Sequence, residues 1–126
     1  MALRSLWPAG RVERIEMASL QELQQPIDRA IVDAMIESTP ETWRSIVLTL
    51  ERASSNSDIG AFRHELSSPE VHPPVGGAPS LFEATYRLDI LLRTHGGVLR
   101  RAVYRATKKD DTWSWSADYE YDEDVP

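Results

Sequence analysis

The chain has 126 residues, and its 14 Lys+Arg against 20 Asp+Glu leave a formal net charge of −6. A chain of this length is expected to form one domain, and the lack of cysteine excludes disulfides and thiolate metal sites within it. No stretch reaches the ~18 apolar residues of a membrane span. We therefore expect a cytoplasmic globular protein that binds neither membrane nor nucleic acid and suits a basic protein partner.

The first residues of the chain show no sustained hydrophobic period and contain Pro8 and Gly10. We predict a loosely held N-terminal arm over residues 1–18. A single α+β domain is predicted over residues 19–126.

The first helix is predicted to begin at Ser19, where the string SLQE matches a capping box. Apolar residues then recur at steps of three and four. Because a residue before proline avoids the helical region, Pro40 predicts the end of a helix over roughly 19–38. Pro26 leaves two alternatives, a helix kinked near this proline or a helix that begins at it.

The next segment alternates apolar and polar residues over residues 43–52 and more weakly over residues 59–66, which predicts an approximate β-hairpin. Four prolines and two glycines follow within residues 67–80. Such a run cannot donate regularly to a sheet, so we predict a long loop there.

A second helix is predicted to begin at Ser80, where the string SLFE is another capping box. Gly96 and Gly97 supply the left-handed residue that ends it. Its predicted inner face consists of Leu81, Ala84, Leu88, Leu91 and Leu92.

The last segment predicts a hairpin over residues 98–121 with KKDD as a four-residue turn. This turn would set Thr107 opposite Thr112 and Arg101 opposite Asp118. The paired positions would also include Leu99 with Glu120, Tyr104 with Trp115 and Ala106 with Trp113. The aromatic face would pack on the core and the serine and carboxylate face would point outward.

Together these elements predict a two-layer α+β fold in the order α-β-β-α-β-β. About four strands would form an antiparallel sheet with the two helices on one of its faces.

No catalytic constellation is recognisable in the sequence. His64 and Glu65 point to opposite faces of a strand, His72 lies in the proline-rich loop, and His95 suits a helix C-terminus. There is no GxSxG or SxxK motif, and the alternating C-terminal carboxylates lack the glycine of a calcium loop. We expect no catalytic residues, no metal and no cofactor.

Charge is strongly segregated near the C-terminus. Residues 93–109 hold six basic side chains and no acid, whereas residues 110–126 hold seven acids and no base. Either the two hairpin arms neutralise each other, or the acidic end meets a basic groove on a partner. The candidate contact residues of this acidic end are Asp118, Glu120, Asp122, Glu123 and Asp124.

The second helix carries a further apolar stripe of Phe82, Tyr86 and Ile90. Ile90 lies about 180° from Leu81 on a helical wheel. The helix is thus apolar beyond one face. Either the arm covers this stripe with Leu6 and Trp7 or the stripe binds a partner.

Two segments of the chain resemble a known family. IDRAIVDAMIESTPETWRSIVLTLE is a helix ending in a PExW motif before an alternating strand, and WSWSADYEYDED is an aromatic and acidic closing strand. Both are similar to the YezG-like immunity proteins, bacterial antitoxins that neutralise secreted nuclease toxins. The resemblance implies an α+β fold without catalytic residues, a cytoplasmic complex with a cognate toxin, and a structural role for Trp43.

The leading hypothesis is therefore an immunity protein that covers the basic surface of a toxin. The alternative is a small acidic secretion chaperone that holds an extended segment of an effector before export. A small-molecule enzyme ranks third. The sequence determines neither the toxin nor the oligomeric state.

Overall fold

The computed structural model describes residues 11–53, 58–69 and 72–121. The described elements are α1 (Arg11–Ser38), β1 (Ser45–Arg52), β2 (Phe62–Ser68), β3 (His72–Val75), α2 (Pro79–Thr94), β4 (Leu99–Lys109) and β5 (Thr112–Tyr121). The strands form one antiparallel sheet in the order β3-β2-β1-β4-β5. The predicted α+β class and the order α-β-β-α-β-β are confirmed, and β3 is an additional short strand at one edge.

Strand β3 corrects the prediction of a loop over residues 67–80. The strand lies at the sheet edge and pairs with β2 at two positions, Leu66 with Val75 and Ser68 with His72. Neither pair needs an N–H from a proline, so Pro73 and Pro74 do not prevent this short edge pairing.

Helix α1 begins at Arg11, eight residues before the predicted start at Ser19. Residues 11–18, predicted as part of the arm, are therefore helical, and residues 1–10 lie outside the described residues. The SLQE string therefore lies inside the helix and does not cap it. Its leucine, glutamine and glutamate are good helix formers, so the string is compatible with a helix interior as well as with a capping box.

The end of α1 at Ser38 confirms the prediction, and the helix runs through Pro26 instead of beginning there. Pro26 is exposed, and its ring forfeits the hydrogen bond to the Glu22 carbonyl. At the far end Thr39 Oγ1 donates to the Met35 carbonyl at 3.1 Å. This side-chain bond satisfies one of the carbonyls that a helix end leaves unpaired.

The start of α2 differs from the predicted Ser80 cap. The helix begins at Pro79 after Ala78, which has no side chain that could cap it. Ser38 Oγ instead accepts the Ala78 N–H at 2.8 Å, and Ser80 Oγ donates to Glu37 Oε1 at 3.0 Å. Side chains at the end of α1 thus form the hydrogen bonds at the start of α2 in place of a local capping box.

The end of α2 confirms the glycine prediction. Gly96 has a φ of +88°, Gly97 N–H donates to the Leu92 carbonyl at 2.8 Å, and Gly96 N–H donates to the Arg93 carbonyl at 3.0 Å. This is the pattern of a Schellman motif. The predicted inner face is buried, with Leu91 partly exposed and Thr85 and Asp89 added to it.

The β4–β5 turn is shorter than the predicted four-residue turn. Asp110 and Asp111, with φ of 52° and 64°, form a two-residue turn between the paired Lys109 and Thr112. Two positive φ values suit the right-handed twist of a hairpin. The predicted register is therefore wrong by two positions along most of the hairpin. The observed pairs include Arg101 with Glu120, Val103 with Asp118, Tyr104 with Ala117, Ala106 with Trp115 and Leu99 with Tyr121.

A shift of two residues leaves each side chain on its predicted face, because side chains alternate with a period of two. Tyr104 and Tyr119 are buried under the helices, as predicted for the aromatic face. Trp115, on the edge strand, remains 37% exposed.

The core lies between the two helices and one face of the sheet. Trp43 is buried in it, which agrees with the structural role expected for this residue. The largest fully buried side chains are Leu20, Ile31, Met35, Ile46, Leu48, Leu50, Leu66, Leu81, Leu88, Leu92 and Tyr104.

Asp28, on α1, is a buried carboxyl group at the edge of this core. Asp28 accepts hydrogen bonds from the hydroxyls of Tyr104 at 2.6 Å and Tyr119 at 2.7 Å, and from Gln24 Nε2 at 3.3 Å. Burial raises the pKa of both tyrosines, so each phenol stays protonated and donates. These bonds join α1 to β4 and β5.

Burial also raises the pKa of Asp28, although the three hydrogen bonds oppose this shift. Asp28 therefore binds its proton more tightly in the folded state than in the unfolded state. The contribution of Asp28 to the free energy of unfolding is present below pH 3.8 and is lost as the pH rises through its folded-state pKa. We expect Asp28→Asn to remove this loss.

Urea denaturation of wild type and Asp28→Asn across this acidic range tests the expectation. Asp33→Asn, an exposed acid on the same helix, is the matched control and should retain the wild-type pH profile. An Asp28→Asn profile parallel to that of wild type would contradict the assignment.

Candidate protein-binding surface

Three apolar side chains on α2 point to solvent. Phe82 is 46% exposed, Tyr86 47% and Ile90 38%. They follow one another at four-residue spacing, whereas Leu81 and Leu88 on the same helix are fully buried. The predicted stripe is thus exposed among the described residues, while Leu6 and Trp7, the residues predicted to cover it, lie outside them.

The turn before β2 extends this stripe. Gly60 lies directly against the Tyr86 ring and has a φ of +78°, so a side chain there would be strained and would meet the ring. Its neighbour Ile59 is 39% exposed. On the other side the ring of His64 lies 4.5 Å from that of Phe82 in an edge-on arrangement. We call Ile59, Phe82, Tyr86 and Ile90 the α2 surface.

A buried ion pair holds α2 in place beneath this surface. Arg52 Nη2 donates to Asp89 Oδ1 at 2.8 Å, and both side chains are almost completely buried. Asp89 Oδ2 accepts the Gly60 N–H at 2.8 Å, and Arg52 Nε donates to the Leu99 carbonyl at 2.7 Å. The guanidinium also lies over the Phe62 ring, 4.6 Å from its centroid.

This network joins the end of β1, the turn before β2, the start of β4 and the middle of α2. Because Asp89 must face Arg52, the rotation of α2 about its axis is defined. Ile90, the next residue, then points away from the sheet. The exposure of the α2 surface therefore follows from the buried pair as much as from the apolar residues opposite it.

His64 connects the sheet to the exposed stripe. Its Nδ1 lies 3.1 Å from the Phe62 carbonyl and its Nε2 lies 2.8 Å from Thr85 Oγ1. Thr85 Oγ1 also lies 3.1 Å from the Phe82 carbonyl. A neutral ring donates from Nδ1 and accepts the Thr85 proton at Nε2. A protonated ring donates from both nitrogens, and Thr85 then donates to Phe82, so both forms are fully hydrogen-bonded.

The acidic candidates lie elsewhere in the molecule. Asp118 Oδ2 is 3.0 Å from Arg105 Nη1, while Glu120 lies 3.6 Å from Arg101 and 3.8 Å from Arg100. This supports the interpretation that the hairpin arms neutralise each other, with partners other than the predicted Arg101–Asp118. All five side chains are exposed by 40% or more, so each pair contributes little stability.

The structure does not bring the two sets of predicted contact residues together. The α2 surface belongs to the helical layer, whereas Asp118 and Glu120 point from β5 to the opposite face of the sheet. Asp122, Glu123 and Asp124 lie outside the described residues. A small partner surface would therefore contact one set or the other.

Sequence reasoning missed Ile59, His64 and the Arg52–Asp89 pair. A signal for the pair was present: Arg52 continues the inward alternation of β1 after Leu50, and Asp89 follows the inner residue Leu88. A charge at an inward position of each element indicates a buried partner. The contact between His64 and Phe82 had no comparable signal, because it depends on how α2 lies over β2.

We expect Asp89→Ala to destabilise the fold by about 3–5 kcal/mol, because it leaves the buried Arg52 charge uncompensated. Urea denaturation followed by circular dichroism measures this loss. The double variant Arg52→Met/Asp89→Leu should recover much of it. Asp33→Ala, at an exposed position, should change stability by less than about 0.5 kcal/mol, and a similarly small loss for Asp89→Ala would contradict the role of the pair.

Burial lowers the pKa of His64 below 6.5, an effect that the hydrogen bond to the Phe62 carbonyl partly opposes. The folded state therefore prefers the neutral ring. The contribution of His64 to stability is present above pH 6.5 and is lost as the pH falls through the lowered folded-state pKa. We expect His64→Gln to flatten this part of the stability profile in urea denaturation, and His95→Gln to leave it unchanged. Equal acid sensitivity of wild type and His64→Gln would show that the His64 site is not responsible.

The described part of the chain has no helix long and apolar enough to cross a membrane. Within the same residues, no group of three or more His, Asp or Glu side chains is placed to hold a metal ion. Comparison with protein-family models, curated proteins and solved structures found no match for this chain. Its function is therefore inferred from the α2 surface, its charge and its sequence motifs.

Proposed function

We propose that this protein is an immunity protein that binds and neutralises a cognate secreted nuclease toxin in the cytoplasm. The observation that carries the proposal is the exposed row of Phe82, Tyr86 and Ile90 on a helix whose opposite side is buried. Aromatic side chains surrounded by polar residues are the usual anchors of protein interfaces.

The α2 surface is held rigidly by the residues beneath it, which favours tight binding. The buried Arg52–Asp89 pair holds α2 against the sheet, and the Schellman motif at Gly96 fixes the end of the helix. A rigid surface loses little conformational entropy when a partner docks. Neutralisation would need only that the bound protein cover the substrate groove of the toxin.

Charge supports a nuclease as the partner. The chain carries −6 and has a pI near 5.0, whereas a nuclease needs a positive groove for phosphates. Opposite net charges speed encounter and favour correct orientation. The similarity of residues 27–51 and 113–124 to YezG-like immunity proteins supports the same class of partner.

The test is co-expression with the toxin gene nearest to the gene of this protein. The wild-type chain should protect the cells and bind the toxin domain. The triple variant Phe82→Ala/Tyr86→Ala/Ile90→Ala should lose protection and weaken binding at least about 100-fold, since anchor residues contribute about 2 kcal/mol or more each. Leu23→Ala, which removes another exposed apolar side chain, on α1, is the matched control and should protect fully.

The acidic residues are tested separately. Asp122→Lys/Glu123→Lys/Asp124→Lys should slow association and weaken its salt dependence, with a smaller effect on dissociation. Unchanged association kinetics would mean that these residues do not steer the toxin.

Three outcomes would contradict the proposal. The first is failure to bind or protect against any neighbouring toxin. The second is a change in the mass of the free protein on substitution of the α2 surface, which would make that surface a contact between copies. The third is binding of an extended segment of an exported protein in place of a folded toxin domain, which would favour the secretion chaperone.

A further inference from the structure

The two edges of the sheet are built differently. Strand β3 has four residues and contains Pro73 and Pro74, two features that protect an edge from pairing with other strands. Strand β5 has ten residues without proline or lysine, and β4 is its one neighbour within the described part of the chain. We propose that β5 is a dimerisation strand that pairs antiparallel with β5 of a second copy, with the two-fold axis at Ser116.

The hydrogen bonds of β4 show which groups of β5 face the open edge. Lys108 N–H donates to the Arg44 carbonyl at 2.8 Å, away from β5. Lys108 and its partner Trp113 are therefore a non-hydrogen-bonded pair, and pair types alternate along an antiparallel ladder. The backbone N–H and C=O groups of Trp113, Trp115, Ala117 and Tyr119 consequently point to the open edge.

Ser116 is the centre of these four residues. An antiparallel partner centred there would pair Trp113 with Tyr119 and Trp115 with Ala117 of the other copy. All four residues would then form backbone hydrogen bonds across the dimer. The side chain of Trp115 is 37% exposed at the edge. In the dimer, residues of the partner strand on the same face of the sheet would cover it.

The charges of β5 favour this arrangement over a parallel one. Both carboxylates of the strand, Asp118 and Glu120, lie in its second half, and hydroxyl residues occupy the first half on the same face. Antiparallel pairing about Ser116 sets Asp118 opposite Ser114 and Glu120 opposite Thr112. Parallel in-register pairing would instead place like charges side by side, which is destabilising.

The inferred dimer is independent of the proposed immunity function. Helix α2 contacts β1 and β2 through Asp89 and Thr85, whereas β5 lies at the far edge of the sheet. The α2 surface would remain open in both copies, so failure to neutralise a toxin would leave the dimer intact, and a monomeric protein would leave the proposed immunity function intact.

Site-specific cross-linking of the full chain tests the dimer. The protein contains no cysteine, so a single Ser116→Cys variant has only the same residue of another copy as a disulfide partner. At the axis the two Cα atoms would be about 4.5 Å apart, within disulfide range. We expect Ser116→Cys to cross-link under mild oxidation, and Ser114→Cys and Thr112→Cys, whose equivalent positions lie apart, to cross-link far less.

Sedimentation of the unmodified protein provides a second measurement. We expect a mass of twice the 14.3 kDa chain and a shift to the monomer mass in Ala117→Pro, which removes an edge-facing N–H. If Ala117→Pro does not fold, Trp115→Lys is the second variant. It places a lysine on the edge strand, and we expect it to shift the mass to that of the monomer. A monomeric wild type, equal cross-linking of all three cysteine variants, or a dimer that only the α2 triple variant dissociates would overturn the inference.

Discussion

The burial of one ion pair determines how the two layers of this protein meet. Taking Arg52 and Asp89 out of water costs several kcal/mol per ion. The Gly60 N–H and the Leu99 carbonyl offset part of this cost by completing hydrogen bonds to the pair. Since these partners come from four separate segments, few packings of α2 satisfy them together. The exposed row at Phe82, the ring contact with His64 and the close approach of Tyr86 to Gly60 all depend on that packing.

Asp28 is a second buried carboxylate, and it fixes the position of α1 as Asp89 fixes that of α2. Asp28 accepts hydrogen bonds from the hydroxyls of Tyr104 and Tyr119 and so ties α1 to β4 and β5. Apolar packing alone would tolerate small rotations or slides of either helix, whereas a buried carboxylate loses its hydrogen bonds when displaced. Both polar clusters therefore contribute to the uniqueness of the arrangement at least as much as to stability.

Most of the fold could be predicted from local patterns, and the errors have identifiable causes. Alternation placed Leu48, Leu50 and Tyr104 on the buried face correctly, because the period of a strand is a local property. The hairpin register was misplaced by two positions because Asp110 and Asp111 both adopt positive φ, which alternation does not reveal. The predicted cap at Ser80 was wrong because the hydroxyl at the start of α2 comes from Ser38, which accepts the Ala78 N–H and lies 40 residues from it in the chain. Of the candidate site, helical periodicity placed Phe82, Tyr86 and Ile90 outside the inner face of α2, and the structure showed that they are exposed among the described residues.

The amino-acid sequence by itself determined the α+β class, the order of the main elements, the inward and outward faces of the strands and the net charge of −6. These properties depend on composition and short-range periodicity. Only the tertiary structure paired Arg52 with Asp89, set His64 against Phe82 and separated the α2 surface from Asp118 and Glu120. The physical reason is that these relations join distant parts of the chain, and their geometry exists only once both helices have packed on the sheet.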